Sequence, residues 1–102
     1  MGKTKIQGDV TVRDVIGEPK LFDVVILNDD VTTMDFVVEL LMRVFFFEEN
    51  EAEIVMLTIH KKGSAIVGTY IYDIAYSKKT KALMFASSQG FPLKVKIQPH
   101  KQ

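Results

Sequence analysis

Two places in this chain gather side chains able to grip a polar ligand: the stretch Asn28-Asp29-Asp30 with Thr32 just after it, and a single histidine, His60. Asn28 and Asp29 offer acceptors, and His60 offers either a donor or an acceptor. Apolar side chains stand close to both in sequence, Met34 and Val37 after the turn and Met56 and Ile59 before the histidine, with Leu93 available from a third segment. Acceptors beside an apolar lining suit a ligand that carries a cationic amine next to a bulky apolar group. The amine would gain charge-assisted hydrogen bonds of roughly 1.5–3 kcal/mol each. Burying a leucine- or phenylalanine-sized side chain would add about 1.5–3 kcal/mol. Each residue also has a plain structural reading. Asn and Asp after a strand make turns by bonding nearby backbone groups; a histidine at a helix end bonds the last carbonyls; methionine fills irregular cores. Residue chemistry by itself leaves both readings open.

Catalysis fits these residues less well. The other histidine, His100, falls in what should be a frayed tail, so a triad would have to pair His60 with Ser64, and no nucleophile elbow surrounds that serine. Asp29 and Asp30 are adjacent and diverge on an extended turn instead of facing each other as acid and base. The glycines are scattered and form no phosphate loop. One histidine and two aspartates have no metal-site spacing, and the absence of cysteine removes thiol nucleophiles, thiolate sites and disulfides. The expectation is a protein that is not an enzyme and needs neither metal nor cofactor. Thirteen basic and thirteen acidic side chains cancel, so no long-range field points to nucleic acid or an anionic membrane. The first residues lack the apolar core of a signal peptide, and the apolar runs are far too short to span a bilayer. A soluble, cytoplasmic monomer is expected.

The elements that must position these groups follow from the hydrophobic pattern. The 102 residues suffice for one domain with a modest core. Residues 1–20, mixed in charge and carrying Gly2, Gly8, Gly17 and Pro19, read as a flexible extension, and residues 21–98 as the folded domain. Lys20 to Leu27 is a nearly continuous apolar strand, hence central or covered on both faces. Thr32-Thr33-Met34-Asp35 matches a capping box with Thr32 as N-cap, and Val37, Leu40, Leu41, Val44 and Phe45 mark one buried helical face. Phe46 and Phe47 should pack beneath the following bend. Asn50-Glu51-Ala52-Glu53 opens a second helix that runs to about His60 and stops at Gly63. Met56 and His60, four apart, share one of its faces. Ser64 to Ile71 is a strand in which Gly68 marks a bulge or a close backbone approach. Tyr72 to Ser87 is a third helix with Ile74, Ala75, Ala82, Phe85 and Ala86 inward, and Leu93 to Gln98 is an alternating strand. The order β-α-α-β-α-β implies a small α+β sandwich, a three-stranded sheet covered by three helices and antiparallel at least in part.

The blocks Asn28-Asp29-Asp30 with Thr32, Met34 and Phe36-Val37, then Met56-Leu57-Thr58-Ile59-His60, then Gly63, Ala65, Gly68 and Asp73-Ile74-Ala75, and finally Pro92-Leu93, resemble the ClpS family in order and spacing. That family carries proteins with destabilising amino-terminal residues (N-degrons) to the ClpA-type AAA+ unfoldase of the Clp protease. The resemblance implies that Asn28, Asp29 and His60 hold the free α-amino group and first peptide unit, and that Asp30 and Thr32 form the rim. It implies that Met34, Val37, Met56, Ile59 and Leu93 take a Leu, Phe, Tyr or Trp side chain, with Met34 as gate. Asp73 and Lys78 would belong to the surface that docks on the unfoldase, and residues 1–19 to the extension that engages it. Three positions depart from the family pattern: Thr33 replaces a frequent proline, Tyr76 a usual acidic residue, and Ile71 the expected cap of the third helix. The alternative reading is a general protein-interaction domain of the same fold, similar to the C-terminal domain of the ribosomal stalk protein, indifferent to a free amino terminus.

Overall fold

The computed structural model describes residues 20–101, so the expected extension at 1–19 lies outside the described residues. Six elements follow in the expected order: β1 (Leu21–Leu27), α1 (Met34–Phe45), α2 (Glu49–Lys62), β2 (Ser64–Ile71), α3 (Tyr72–Ser88) and β3 (Lys94–Pro99). The sheet has the order β2-β1-β3, and both pairings are antiparallel throughout. The apolar run of β1 is explained by this central place. Val24 and Ile26 are fully buried under the helices, while Asp23 and Val25 point to the other face, as strand alternation requires.

Helix α1 buries Phe36, Val37, Leu40, Leu41, Val44 and Phe45, the expected stripe with one aromatic added. Its N-cap is Thr33, one residue later than the pattern indicated: the Thr33 hydroxyl accepts from the Phe36 N–H at 3.2 Å. The Thr32 hydroxyl is turned to Asp29 instead, donating to Oδ2 at 2.7 Å. The departure at Thr33 therefore supplies a cap that a proline lacks. At the other end Phe46 takes the left-handed conformation (φ 62°) and is 76% exposed. Phe47 packs against the core as expected, but Phe46 does not. Its ring lies 4.2 Å from Lys78 Nζ, which donates to the Val44 carbonyl at 2.7 Å.

Helix α2 starts earlier than expected. Glu48 is its N-cap, with the Glu48 N–H donating to Glu51 Oε1 at 3.3 Å, so the Glu48/Glu51 pair does what Asn50 was expected to do. The helix ends as expected at Gly63, whose φ of 93° only glycine adopts without strain. Val67 is the extra residue of a bulge opposite Val24 and Val25, beside Gly68. What closes on Gly68 is the Tyr70 ring, not a backbone: a Cβ there would sit 2.6 Å from the ring carbons. In α3, Ala75, Ala82 and Ala86 are buried and Phe85 half-buried, but Ile74 is 45% exposed and does not point inward. His100 is no frayed end. Its N–H donates to the Leu21 carbonyl and its Nδ1 to the buried Asp23 carboxylate, at 2.9 and 2.8 Å.

Candidate binding cleft

The turn after β1 is built by one carboxylate. Asp29 Oδ1 accepts from the Val31 and Thr32 N–H groups at 2.8 and 2.6 Å, and Oδ2 takes the Thr32 hydroxyl. Burial acts to raise the Asp29 pKa, but these hydrogen bonds, and to a lesser degree the nearby Lys94 charge, outweigh it and hold the carboxyl below its ordinary range. Asp29 is thus a fixed anion that orients the loop and, with about four lone-pair sites on its two oxygens, still has acceptor capacity to spare. Its turn role is explicit in these bonds, and its carboxylate also lines a cleft beside the turn.

The turn is joined to α2 by the Asn28 N–H, which donates to the Gly63 carbonyl at 2.9 Å and adds one rung to the β1–β2 ladder. His60 sits in the last turn of α2, three residues before Gly63, so the ladder and the glycine cap together bring His60 beside Asn28 and Asp29. Between the turn, the start of α1 and the end of α2 lies a cleft of about 340 Å³, within the range of small-ligand sites. Its polar wall includes Asn28, Asp29, Asp30, Thr32 and His60. Its apolar wall is formed by Met34 and Val37 from α1 and Met56 and Ile59 from α2. Ile59 and Val37 are buried and form a fixed floor, whereas Met34 is 43% exposed at the mouth.

Eleven residues line the cleft, and nine of the ten expected to contact a substrate are among them. Leu93 is the exception. It is 7% exposed within the main core, one residue before the Leu27–Lys94 pair, and does not line the cleft. Val31 and Thr33 also line the cleft and were not anticipated; the only signal for them is their place inside the polar stretch. Asp73 and Lys78 lie elsewhere, both on α3. Asp73 is exposed in the first turn, below the uncapped Ile71, while the half-buried Lys78 is turned toward α1. Burial, and then the neighbouring Lys81, lower the Lys78 pKa. Among the described residues no cluster of histidine, aspartate and glutamate could hold a metal, and no helix is long and apolar enough to cross a membrane.

Residues 17–96 match the family described as ATP-dependent Clp protease adaptor protein ClpS. The ClpS adapter protein of Campylobacter jejuni is 47% identical over 83 residues, which cover 81% of this chain and 86% of that protein. The Treponema denticola ClpS adapter is 41% identical over 96 residues, 94% of this chain and 95% of that one. The fold is also similar to the structure of Agrobacterium tumefaciens ClpS2 bound to L-phenylalaninamide, with a TM-score of 0.79 and 40% identity over 81% of this chain and 100% of that one. Matched over most of its length by the family and by full-length relatives, this chain belongs to the ClpS family, the non-catalytic adaptors of the ATP-dependent Clp protease.

Proposed function

We propose that the cleft binds the free α-amino group and the bulky apolar first side chain of N-degron proteins, Leu, Phe, Tyr or Trp, and that the protein delivers them to a ClpA-type AAA+ unfoldase. The observation that carries this reading is one small cleft with a fixed carboxylate, an amide and an imidazole on one wall and two methionines and two buried aliphatics on the other. The ammonium is placed against Asn28, Asp29 and His60. Asp30 and Thr32 are at the rim, and the side chain enters between Met34 and Met56, over Val37 and Ile59, with Leu93 behind. The ligand of the similar ClpS2, L-phenylalaninamide, has the same two parts, an α-amine and a benzyl group. Met34 acts as the gate, since a flexible, exposed methionine yields to rings of different size and a β-branched side chain of a ligand would meet it at the mouth.

Docking on the unfoldase is assigned to the α3 surface around Asp73. Lys78 has two N–H donors beyond the one spent on Val44, and the extension at 1–19 would engage the unfoldase directly. The binding claim is tested by titrating a short peptide that begins with Phe or Leu against its amino-acetylated twin. Acetylation removes the charge and leaves one N–H donor of the ammonium's three, so affinity should fall at least tenfold, the worth of one charge-assisted hydrogen bond of roughly 1.5 kcal/mol. Equal affinity for the two peptides would sink the reading in favour of a general interaction surface.

A further inference from the structure

A second depression lies on the outer side of the α1–α2 pair and shares Met56 with the cleft. It has a volume of about 420 Å³. Its floor is apolar: Val38, Met42 and Leu57 join Met56, and Met42 and Leu57 are 38% and 42% exposed. Its charged wall is of one sign, with Asp35 and Glu39 from α1 and Glu49 and Glu53 from α2, and no basic residue lines it. Among the described residues only Glu39 has a cationic partner there, Arg43 at 2.9 Å on the same helix. Because the start of α1 and the end of α2 meet at the cleft while residues 46–48 join the end of α1 to the start of α2, the two helices run antiparallel. The groove therefore leads from the cleft at Met56 toward Met42 and Glu49.

We infer that this groove receives the chain downstream of the bound first residue and selects a lysine or arginine there. The inference rests on the cleft holding the amino terminus. The span from Asp35 to Met42 along α1 is about 10 Å at 1.5 Å per residue, which an extended peptide crosses in about three residues. A peptide anchored by residue 1 in the cleft thus runs its third to fifth residues along the groove. The aliphatic stem of lysine or arginine lies on Met42, Met56 and Leu57 while its head meets the carboxylates, the arrangement such amphipathic side chains favour. The chain as a whole carries no net charge, so this selection is a property of the groove and not of a general field.

The test compares three peptides that begin with Phe and carry Lys, Ser or Glu at positions 3 to 5, each with a free and an acetylated amino terminus. They are titrated at low and at physiological salt against the full chain and against a Glu49→Gln, Glu53→Gln variant. The Lys peptide should bind about fivefold tighter than the Ser peptide at low salt and the Glu peptide weaker than either, as several exposed ion pairs would give. The variant should lose that spread while binding the Ser peptide as before. A second pair, Asp35→Asn with Glu39→Gln on the opposite wall, gives the same answer should the first disturb α2. Equal affinity for the three free peptides, or a spread that survives both variants, overturns the groove. Loss of binding on acetylation alongside such equality leaves the cleft reading standing, whereas indifference to acetylation overturns that reading instead.

Discussion

At the scale of single residues, Asp29 has two tasks that are separable by substitution. Its carboxylate holds the Val31 and Thr32 amides and presents a negative charge to the cleft. Asparagine keeps one carbonyl oxygen for those amides but removes the charge. Asp29→Asn should therefore leave the melting temperature nearly unchanged and weaken a Phe-initiated peptide by about 10- to 100-fold, as read by titration. The pH profile of binding follows from the same pair. A free α-amine has a pKa of about 8, and the Asp29 carboxylate raises it in the complex, so binding is complete below about pH 7 and declines as pH rises through the bound value. Because the Asp29 pKa is itself lowered, the acid limb should begin only below about pH 4. A titration series that shows affinity rising from pH 7 to 9 would contradict the assignment of a cationic amine.

Among the elements, the junction of α1 and α3 shows what a sequence pattern conveys and what it hides. The Lys78 ammonium occupies the C-terminal end of α1, where a cation meets the negative end of the helix dipole, and lies against the Phe46 ring. Lys78→Ala should cost on the order of 1 kcal/mol of stability from the lost cap, seen as a lower denaturation midpoint, and leave peptide affinity unchanged. An unchanged midpoint would show that the contact contributes nothing. Helical spacing revealed the buried stripe of α1, because each buried position answers to a repeat of the same face. It hid the fate of Phe46, whose apolarity is satisfied by a lysine far along the chain. It also misplaced the cap by one residue, since of two adjacent threonines Thr32 is turned to the Asp29 carboxylate and Thr33 takes the Phe36 N–H. The cleft was legible because its polar residues are short, adjacent and bounded by two helices. Leu93 was assigned to its lining because sequence spacing says nothing about which side of the turn a third segment approaches.

For the molecule as a whole, the buried Asp23 is the main acid-sensitive point of the sheet. Burial alone would raise its pKa, but hydrogen bonds from Thr69, His100 and Gln98, at 2.7, 2.8 and 3.4 Å, bring it below the ordinary 3.8. A carboxyl with a depressed folded pKa contributes stability that is present above its unfolded pKa and lost as pH falls through the folded one. The urea midpoint should thus hold from neutral pH to about pH 5 and drop below about pH 4. An Asp23→Asn variant, weaker at pH 7, should lose less over that interval; identical acid limbs would refute the account. Asp23 stands near the entry end of β1, where Leu21 is bonded to His100, while Asn28 and the cleft stand at the exit end. A pull on the amino-terminal side of the domain, resisted by a ligand gripped at the turn, therefore stretches β1 lengthwise between two antiparallel neighbours. Under the proposed binding, its rungs would share the load in shear instead of opening one by one, and the central strand would act as a tendon between the domain's amino-terminal side and a ligand at the turn.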